Sequence, residues 1–349
     1  MKPTSPELPY ELVEFPSDSG AGRRSVGGHH RLAGDADRIS GRLELELKTL
    51  RPVQVASGRT DFVKPAGGRE QLALREVSIL KYGSGTPPQP QRVPVLPGSS
   101  LKGVVRSLVE IISPSCMMVM DFRVRKVLPR GLGRCAEPGS LCPACRLFGT
   151  QDYQGQVGFV DAEVPPDSLQ LLGTPMLWTP ARSRGRNLPS GYLKNGRARG
   201  RKVYRHSLLA KGPDPRVAIK PGVNIPAQLF LENLVPEEMG LLLAALGLHP
   251  GYKFPIKIGA GKPVGMGSIE VSLKRVQVFR GPLSLKQSGR WGGSRQKLSS
   301  SELQEHVRAW IRTAEETKLL LPRSLAALAE VLSMDNLDQP PALYGGRQP

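Results

Sequence analysis

Two glycine-rich segments that each contain a lysine are the strongest candidates in this chain for contact with phosphate. The first reads Leu-Pro-Gly-Ser-Ser-Leu-Lys-Gly over residues 96–103, and the second, over residues 257–268, has glycines at positions 259, 261, 265 and 267. Glycine lets backbone amides approach a ligand closely, and lysine neutralises phosphate charge. Neither segment has the spacing of a Walker A loop, and the second precedes a predicted strand, so nucleotide-binding interpretations are disfavoured.

We therefore predict that both segments bind an RNA backbone. A serine–glycine turn that opens a helix offers free N–H groups and the positive end of the helix dipole. The alternatives are an ordinary helix start with two solvated cations and a plain glycine-rich turn between two elements. The RNA-binding candidates in the two segments are Ser99, Ser100, Lys102, Arg106, Gly261, Lys262, Gly265 and Gly267.

A third basic segment covers residues 181–205, which are rich in arginine, lysine and glycine. The segment is too polar to form core, and it is expected to be an arm that becomes ordered on RNA. Tyr192 and Tyr204 are interleaved with the cations and can stack on bases, whereas a solvated loop is the alternative. Its RNA-binding candidates are Arg197, Arg199, Arg201, Lys202, Tyr204 and Arg205.

The four cysteines lie close together in the sequence. Cys142 and Cys145 form a C-x2-C pair, the spacing that lets two thiolates reach one zinc ion from a tight turn. Cys135 lies seven residues earlier, and Cys116 can close a tetrahedral four-cysteine site. A structural Zn²⁺ is the preferred interpretation because the surrounding segment is poor in core-forming residues. Free reduced cysteines and a redox-active pair are the alternatives.

Catalytic residues are harder to find. Asp61 and Glu76 lie in or beside a long predicted loop, and His206 follows the basic segment without an identifiable partner. RNA cleavage without a metal needs mainly an acid–base group beside a 2′-hydroxyl, a geometry that sequence does not reveal. His29 and His30 fall in an irregular leader. Each of these side chains is equally compatible with a surface role.

These candidates must be positioned by a mixture of strands and helices. Alternation predicts a strand over residues 41–49, while glycine and proline predict loops over 57–69 and an irregular segment over 1–38. Ser99 or Ser100 is expected to cap a helix, and the stretch 299–302 matches a capping box. Further strands are predicted near 77–80, 156–163, 228–232 and 268–279, and further helices over 236–246 and 323–332.

The order of these elements predicts an α+β fold with a ferredoxin-like or RRM-like βαββαβ core. The predicted units are an irregular segment (1–38), a core domain (39–279) and a basic linker with C-terminal helices (280–349). The core domain would carry a cysteine region (113–150) and a basic, thumb-like insertion (181–225).

The net charge of +19 over 349 residues, with a pI of about 10.1, favours a polyanionic partner. Aromatic residues make up only 5% of the chain, so contact through phosphate and sugar is expected to exceed base stacking. The chain has no 18-residue apolar run and no basic-then-apolar leader, so we expect no membrane partner and a cytoplasmic location.

Four ordered motifs in residues 40–275 resemble the RAMP superfamily, the repeat-associated mysterious proteins of CRISPR systems. They are Val95-Leu96-Pro97-Gly98-Ser99-Ser100-Leu101-Lys102-Gly103 with Arg106, Cys142-Pro143-Ala144-Cys145-Arg146-Leu147-Phe148-Gly149, Gly158-Phe159-Val160-Asp161-Ala162, and the glycine-rich segment 257–268. The stretches 200–206 and 9–13 are similar to one subgroup of RAMP proteins. Within the superfamily, the chain looks most like a backbone subunit of a type III CRISPR effector complex.

The resemblance implies a modified RRM-like palm, a β-rich thumb insertion and, from the cysteines, a zinc-stapled loop. It implies that the chain binds CRISPR guide RNA and positions complementary target RNA. Its other partners would be further RAMP subunits and the large subunit of the complex. The alternatives are an inactive scaffold or capping subunit and a ribonuclease that processes guide RNA through His206 or a neighbour.

Some relatives cleave target RNA with an aspartate in the first loop, which would make the chain a metal-dependent endoribonuclease with a cation such as Mg²⁺. The register of the resemblance places Glu76 at that position, whereas Asp61 is the only aspartate of the loop and lies earlier. The extra methylene of a glutamate displaces its carboxylate by about an ångström, which is enough to cost activity. Asp61 is therefore slightly preferred over Glu76.

Overall fold

The structure, a computed structural model, describes residues 8–16, 22–25, 38–64, 68–84, 87–118, 122–177, 190–280, 294–297 and 300–342. It is a mixed α+β fold that consists mostly of strands. The helices are α1 (Gly98–Ile112), α2 (Phe122–Val127), α3 (Pro143–Phe148), α4 (Pro236–Ala245), α5 (Ser300–Glu316) and α6 (Pro322–Val331).

The strands, in chain order, are β1 (Tyr10–Glu14), β2 (Ile39–Thr49), β3 (Ala56–Val63), β4 (Gln71–Glu76), β5 (Ser78–Tyr82), β6 (Pro90–Leu96), β7 (Val157–Phe159), β8 (Ala162–Glu163), β9 (Leu169–Thr174), β10 (Leu193–Lys194), β11 (Arg197–Ala198), β12 (Gly200–Tyr204), β13 (Asp214–Ile219), β14 (Asn224–Leu234), β15 (Leu248–His249), β16 (Tyr252–Lys253), β17 (Ile256–Lys257), β18 (Ser268–Arg280) and β19 (Ser294–Lys297).

A central antiparallel sheet with the order β17-β18-β2-β14-β7 forms the scaffold, and β19 pairs with β18. The strand predicted over residues 41–49 is confirmed as β2, the middle of this sheet, and its alternation buries Leu43, Leu45 and Leu47. These leucines share one hydrophobic core with α1, α4 and the cysteine region. The chain runs through β2, α1, β7, β14, α4 and β18, and each neighbouring pair of these strands in the sheet is antiparallel.

The strand predicted over 156–163 is wrong as a single element. It is divided into β7, which pairs with β14, and β8, which pairs with β6 in a different sheet. The chain leaves the central sheet at Val160 and Asp161, and the Asp161 carboxylate turns to the first amide of α1. A tertiary contact thus interrupts a pattern that looks continuous in the sequence.

The loop predicted over 57–69 is also wrong, because β3 and β4 form a hairpin there. Together with β13 and β9 they make a second sheet of order β3-β4-β13-β9. Gly58 has φ of 80° and lies where the pairing shifts register, between Ala56 and Thr60. The glycine that suggested a loop in the sequence is therefore part of a β-bulge.

The segment predicted to be irregular over residues 1–38 contains β1, and the basic stretch 181–205, predicted to lie outside the core, contains β12. The two strands pair with each other, from Tyr10 with Tyr204 to Glu14 with Gly200. Val13 and Val203 are buried at this ribbon. Neither strand has a strong pattern of its own, and a partner about 190 residues away cannot be inferred from local sequence.

The C-terminal helices lie close to the predicted positions. Helix α5 buries the apolar side chains of Leu303, Trp310 and Ile311. Helix α5 packs against α4 at Gly240, where an added Cβ would lie 2.0 Å from the Trp310 carbonyl oxygen. A glycine in the middle of α4 therefore allows the two helix backbones to approach each other.

We predict that Gly240→Ala lowers the free energy of unfolding by about 2 kcal/mol, because overpacking outweighs the higher helix propensity of alanine. Gly103→Ala in α1 is the matched control, since nothing lies within 4 Å of an added Cβ there. The control should be neutral or stabilising by up to about 1 kcal/mol. Chemical denaturation measures both variants, and equal effects would contradict the proposed helix contact.

Candidate metal centre and nucleic-acid interface

The four cysteines converge on one point. The sulfur atoms of Cys116, Cys135, Cys142 and Cys145 all lie within 4.8 Å of one another, and all four residues are buried. The Sγ atom of Cys116 is 3.5 Å from the Sγ atoms of both Cys142 and Cys145. In a tetrahedral site with Zn–S bonds of about 2.3 Å, the sulfurs are about 3.8 Å apart, whereas a disulfide needs about 2 Å. The spacing therefore fits a metal ion and not a disulfide.

Local structure brings each thiol to this point. Cys142 directly precedes α3, and Cys145 lies in its first turns, so the C-x2-C pair comes from one helix start. The Cys142 amide donates to Cys135 Sγ at 3.3 Å. Cys116 follows α1, and the hydroxyl of its neighbour Ser115 accepts a hydrogen bond from the Ala144 amide at 3.0 Å.

Hydrogen bonds among the four thiols are the main influence on their pKa values: the pKa of Cys135 and of Cys142 is lowered, whereas that of Cys116 and of Cys145 is raised. Hydrogen bonding from Cys116 is the main factor that lowers the pKa of Cys142, to about 6. Arg106 adds a positive charge, with Nη2 3.5 Å from Cys145 Sγ. Four buried sulfur donors that can become thiolate suit a soft or borderline divalent ion, so the cluster can bind a metal such as zinc.

The start of α1 differs from the predicted phosphate site. Neither Ser99 nor Ser100 caps the helix, which begins at Gly98 directly after Pro97. The Gly98 amide, the first N–H group of the helix, donates to Asp161 Oδ1 at 2.7 Å. A carboxylate of the chain itself therefore occupies a donor that was expected to bind phosphate. A Cβ at Gly98 would lie 2.2 Å from the Phe159 carbonyl oxygen, so this position needs glycine to pack against β7.

The glycine-rich segment 257–268 is also packed against its own chain. Gly261, Gly265 and Gly267 have φ of 69°, 88° and 92°, values that favour glycine. A Cβ at Gly265 would lie 2.1 Å from the Leu208 carbonyl oxygen, and the Gly267 amide donates to the Pro52 carbonyl oxygen. Internal packing therefore explains these glycines without a ligand, and an RNA contact at this loop stays a prediction.

Two of the predicted RNA-binding arginines are engaged inside the protein. Arg106 donates through Nε to Glu110 Oε1 at 2.9 Å and through Nη1 to the Gly149 carbonyl oxygen at 2.8 Å. Arg201 donates to the other carboxylate oxygen of Glu110 and, at 2.8 Å, to the hydroxyl of Ser107. These two side chains therefore join β12, α1 and the cysteine region, a role that the sequence does not reveal.

Among the described residues of the basic arm, further cations have internal partners, several of them on β1. Glu14 lies within 4.0 Å of Lys194 and Arg199, and Glu11 lies 3.6 Å from Arg205. The Lys202 ammonium is 3.8 Å from the ring centroid of Tyr10 and 4.7 Å from that of Tyr204. Arg197 donates to the Leu128 carbonyl oxygen at 3.2 Å.

Three lysines differ from these arginines. In the part of the chain that the structure describes, no carboxylate forms an ion pair with Lys102, Lys257 or Lys262. Burial, and then the charge of Arg106, lowers the pKa of Lys102; burial, and then the charge of Arg201, lowers that of Lys262. Lys102 and Lys262 are half-buried cations without a counter-charge, which makes them candidates for contact with a phosphate, whereas Lys257 is buried.

Sequence reasoning did not single out Lys257, although it begins the second glycine-rich segment. The residue is only 6% exposed, and its ammonium donates to the Arg205 carbonyl oxygen. Burial, together with the nearby charges of Lys262 and Arg51, lowers its pKa to about 7. The position of Lys257 next to the glycines could have marked it as a candidate from the sequence. Its burial is visible only in the tertiary structure.

His206 is a buried structural residue, only 1% exposed. Its Nε2 lies 3.2 Å from the Pro255 carbonyl oxygen and must donate there, so Nδ1 accepts from the Ser268 hydroxyl at 2.7 Å. Burial, and then the charge of Lys257, lowers its pKa to about 3. Both ring nitrogens are engaged, so the structure gives no support to His206 as a general base. His29 and His30 lie outside the described residues.

The two candidate carboxylates are not brought together. Asp61 is exposed on β3, and its Oδ1 accepts from the Phe62 amide at 2.9 Å. Glu76 is 7% exposed at the end of β4, where its Oε1 accepts from Arg75 at 3.1 Å. Asp61 pairs with Ala73, so Glu76 is displaced by three residues, about 10 Å, along β4.

Within the described ranges, the cysteine cluster is the only group of three or more side chains that offers metal ligands together. Asp61 and Glu76 belong to no such group. In the same ranges, the helices are too short or too polar to cross a membrane.

The RAMP superfamily model matches residues 46–270, which is well over half of the chain and contains α1, the cysteine cluster and the glycine-rich segment. The chain belongs to the RAMP superfamily. Membership implies a CRISPR-associated role in RNA binding and association with CRISPR RNA and other Cas subunits. The resemblance seen in the four sequence motifs is therefore confirmed at the level of the superfamily. No curated protein matches this RAMP chain.

We predict that the purified RAMP protein contains about one zinc ion per chain, because four cysteines close one tetrahedral site. Cys142→Ser and Cys145→Ser should each abolish zinc binding and lower the melting temperature by roughly 5 °C or more. Elemental analysis and calorimetry measure these effects. Ser140→Ala, an exposed change in the same loop, is the control and should keep both the metal and the stability. Folded wild-type protein without any metal would contradict the site.

Proposed function

We propose that this RAMP protein is a guide-RNA-binding subunit of a type III CRISPR effector complex that positions complementary target RNA. The observation that carries this proposal is the set of lysines without counter-charge: the half-buried Lys102 on α1 and, at the glycine-rich segment, the half-buried Lys262 and the buried Lys257. Buried like charges oppose one another unless an anion enters between them. A phosphate backbone supplies that anion, and the chain's net charge of +19 has the matching sign.

The sheet topology supports a modified RRM-like palm. The core strands that alternate with α1 and α4 are, in chain order, β2, β7, β14 and β18. In the sheet they lie in the order β18-β2-β14-β7, so the order of the strands is 4-1-3-2. This antiparallel order is that of a split βαβ, ferredoxin-like core.

The β3-β4-β13-β9 sheet, which is separate from the central sheet, is our candidate for the thumb. Only β13 of this sheet falls within the segment 181–225, where the sequence predicted the thumb. The ribbon strand β12, also in that segment, packs back on β1.

We expect Lys102→Ala combined with Lys262→Ala to weaken guide-RNA affinity roughly tenfold at physiological salt, because phosphate contacts are lost. The slope of log K against log salt should become less steep by about 0.7 for each contact removed. Lys253→Ala combined with Lys274→Ala removes the same charge from exposed positions on β16 and β18 and should leave affinity nearly unchanged. Fluorescence anisotropy across a salt series measures this. An equal loss of RNA affinity in both double variants would mean that the RNA is attracted only by the overall positive charge of the protein, which would contradict the proposed contacts.

Target cleavage is the second activity to be tested, and Asp61 is its candidate because its carboxylate is exposed, whereas that of Glu76 is buried. In a reconstituted complex that cuts target RNA in Mg²⁺, Asp61→Asn should slow cutting about a hundredfold or more with RNA affinity retained. Glu76→Gln should keep the cutting activity. Cleavage that depends on Glu76 alone would reverse the assignment, and a complex that binds but never cuts its target would leave a scaffold or capping subunit.

A further inference from the structure

Glu110 is a buried carboxylate that none of the proposed activities uses. It is 1% exposed on the last turns of α1, and each of its oxygens accepts from a different arginine. Arg106 comes from the same helix, one turn earlier, and Arg201 comes from β12. One acidic group therefore balances two guanidinium groups that belong to distant parts of the chain.

From Glu110 the two arginines continue to two different parts of the cysteine region. Arg106 reaches Cys145 Sγ at 3.5 Å and the Gly149 carbonyl oxygen at 2.8 Å. Arg201 reaches Met117 Sδ at 3.5 Å, next to Cys116 in the sequence, and Ser107 Oγ at 2.8 Å. The Arg106–Glu110–Arg201 unit is thus held between the metal ligands on one side and β12 on the other.

The same unit borders the lysines proposed to contact RNA. Lys102 lies one turn before Arg106 on α1, and the charge of Arg201 contributes to the lowered pKa of Lys262. A bound metal ion ties the four cysteines together and so fixes Cys145 and the following loop to Gly149, which supply two of the acceptors of Arg106. Without the ion these acceptors are no longer held in place, while Glu110 must still balance both arginines.

We propose that Glu110 is a positioning residue through which metal occupancy of the cysteine cluster sets the affinity of the neighbouring surface for RNA. With the metal bound, Arg106 is held between Cys145 and Glu110, and Glu110 keeps Arg201 and β12 fixed against α1. The lysines of α1 and of the glycine-rich segment then face RNA in one arrangement. This inference rests on the proposed function, since it concerns the same RNA surface.

The test is a thermodynamic cycle with wild-type protein and Glu110→Gln, each with zinc and after chelation, with guide RNA as the probe. Removal of zinc should weaken RNA binding by wild-type protein about tenfold, within the usual range of coupling between two sites. Glu110→Gln should bind RNA about tenfold more weakly from the outset and change less than twofold on chelation. The same loss on chelation in both proteins would overturn the proposal.

Glu238→Gln is the matched control. Glu238 is also a buried glutamate, and it pairs with the buried Arg146, which directly follows Cys145. This pair borders the cysteine cluster, and the Arg146 guanidinium also donates to the Gly22 and Leu141 carbonyl oxygens, neither of which belongs to β12. The control variant should lose stability and still show the wild-type response of RNA affinity to chelation. An altered response here would point to general loosening of the fold and against a role for Glu110.

If Glu110→Gln does not fold or does not retain zinc, hydrogen exchange of the wild-type protein tests whether the metal stabilises β12. Chelation should raise exchange in β12 and at the end of α1 as well as in the cysteine region, and should leave β14 unchanged. Exchange that rises only between residues 113 and 149 would overturn the proposal. Absence of RNA binding by zinc-loaded wild-type protein would instead refute the proposed function, so the two failures are distinguishable.

Discussion

The scarcity of carboxylates is the constraint on which this structure depends. The chain has 49 lysines and arginines but only 30 aspartates and glutamates, so at least 19 cations cannot have an acidic partner of their own. Several of the described carboxylates lie where cations are buried or where separate segments meet, as Glu110 does between Arg106 and Arg201. A buried ion needs a partner because desolvation costs several kcal/mol. The position of each carboxylate therefore determines which cations are structural and which remain available to an anion.

This division separates the predicted RNA-binding residues into two groups. The arginines of the basic arm pair with Glu11, Glu14 and Glu110 and fasten the ribbon to the rest of the protein. Lys102, Lys257 and Lys262 stay without a carboxylate partner among the residues that the structure describes. Arginine suits the first role because its planar fork can bond several acceptors at once, whereas lysine acts as a compact point charge on phosphate.

Several glycines of the two glycine-rich segments are explained by internal packing. Gly98 lets α1 begin against β7, which also brings the Asp161 carboxylate to the helix start, and Gly265 lets its loop meet the backbone at Leu208. Motifs that are distant in the sequence thus meet in pairs. Their direct effect is to hold α1 and the glycine-rich segment in place, and the lysines within them take their positions from this packing.

The sequence by itself determined the superfamily, the strand–helix order of the core and the four cysteines as one cluster that can bind a metal. These signals are local, because alternation, helical periodicity and C-x2-C spacing depend on neighbours in the chain. It did not reveal the β1–β12 ribbon, the β3–β4 hairpin, the Asp161 cap or the burial of Lys257. Each of these depends on a partner that is distant in sequence or on the solvent that the fold excludes. The sequence predicted that Arg106 and Arg201 bind RNA, but in the structure both donate to Glu110. Only the tertiary structure places Glu110 between them.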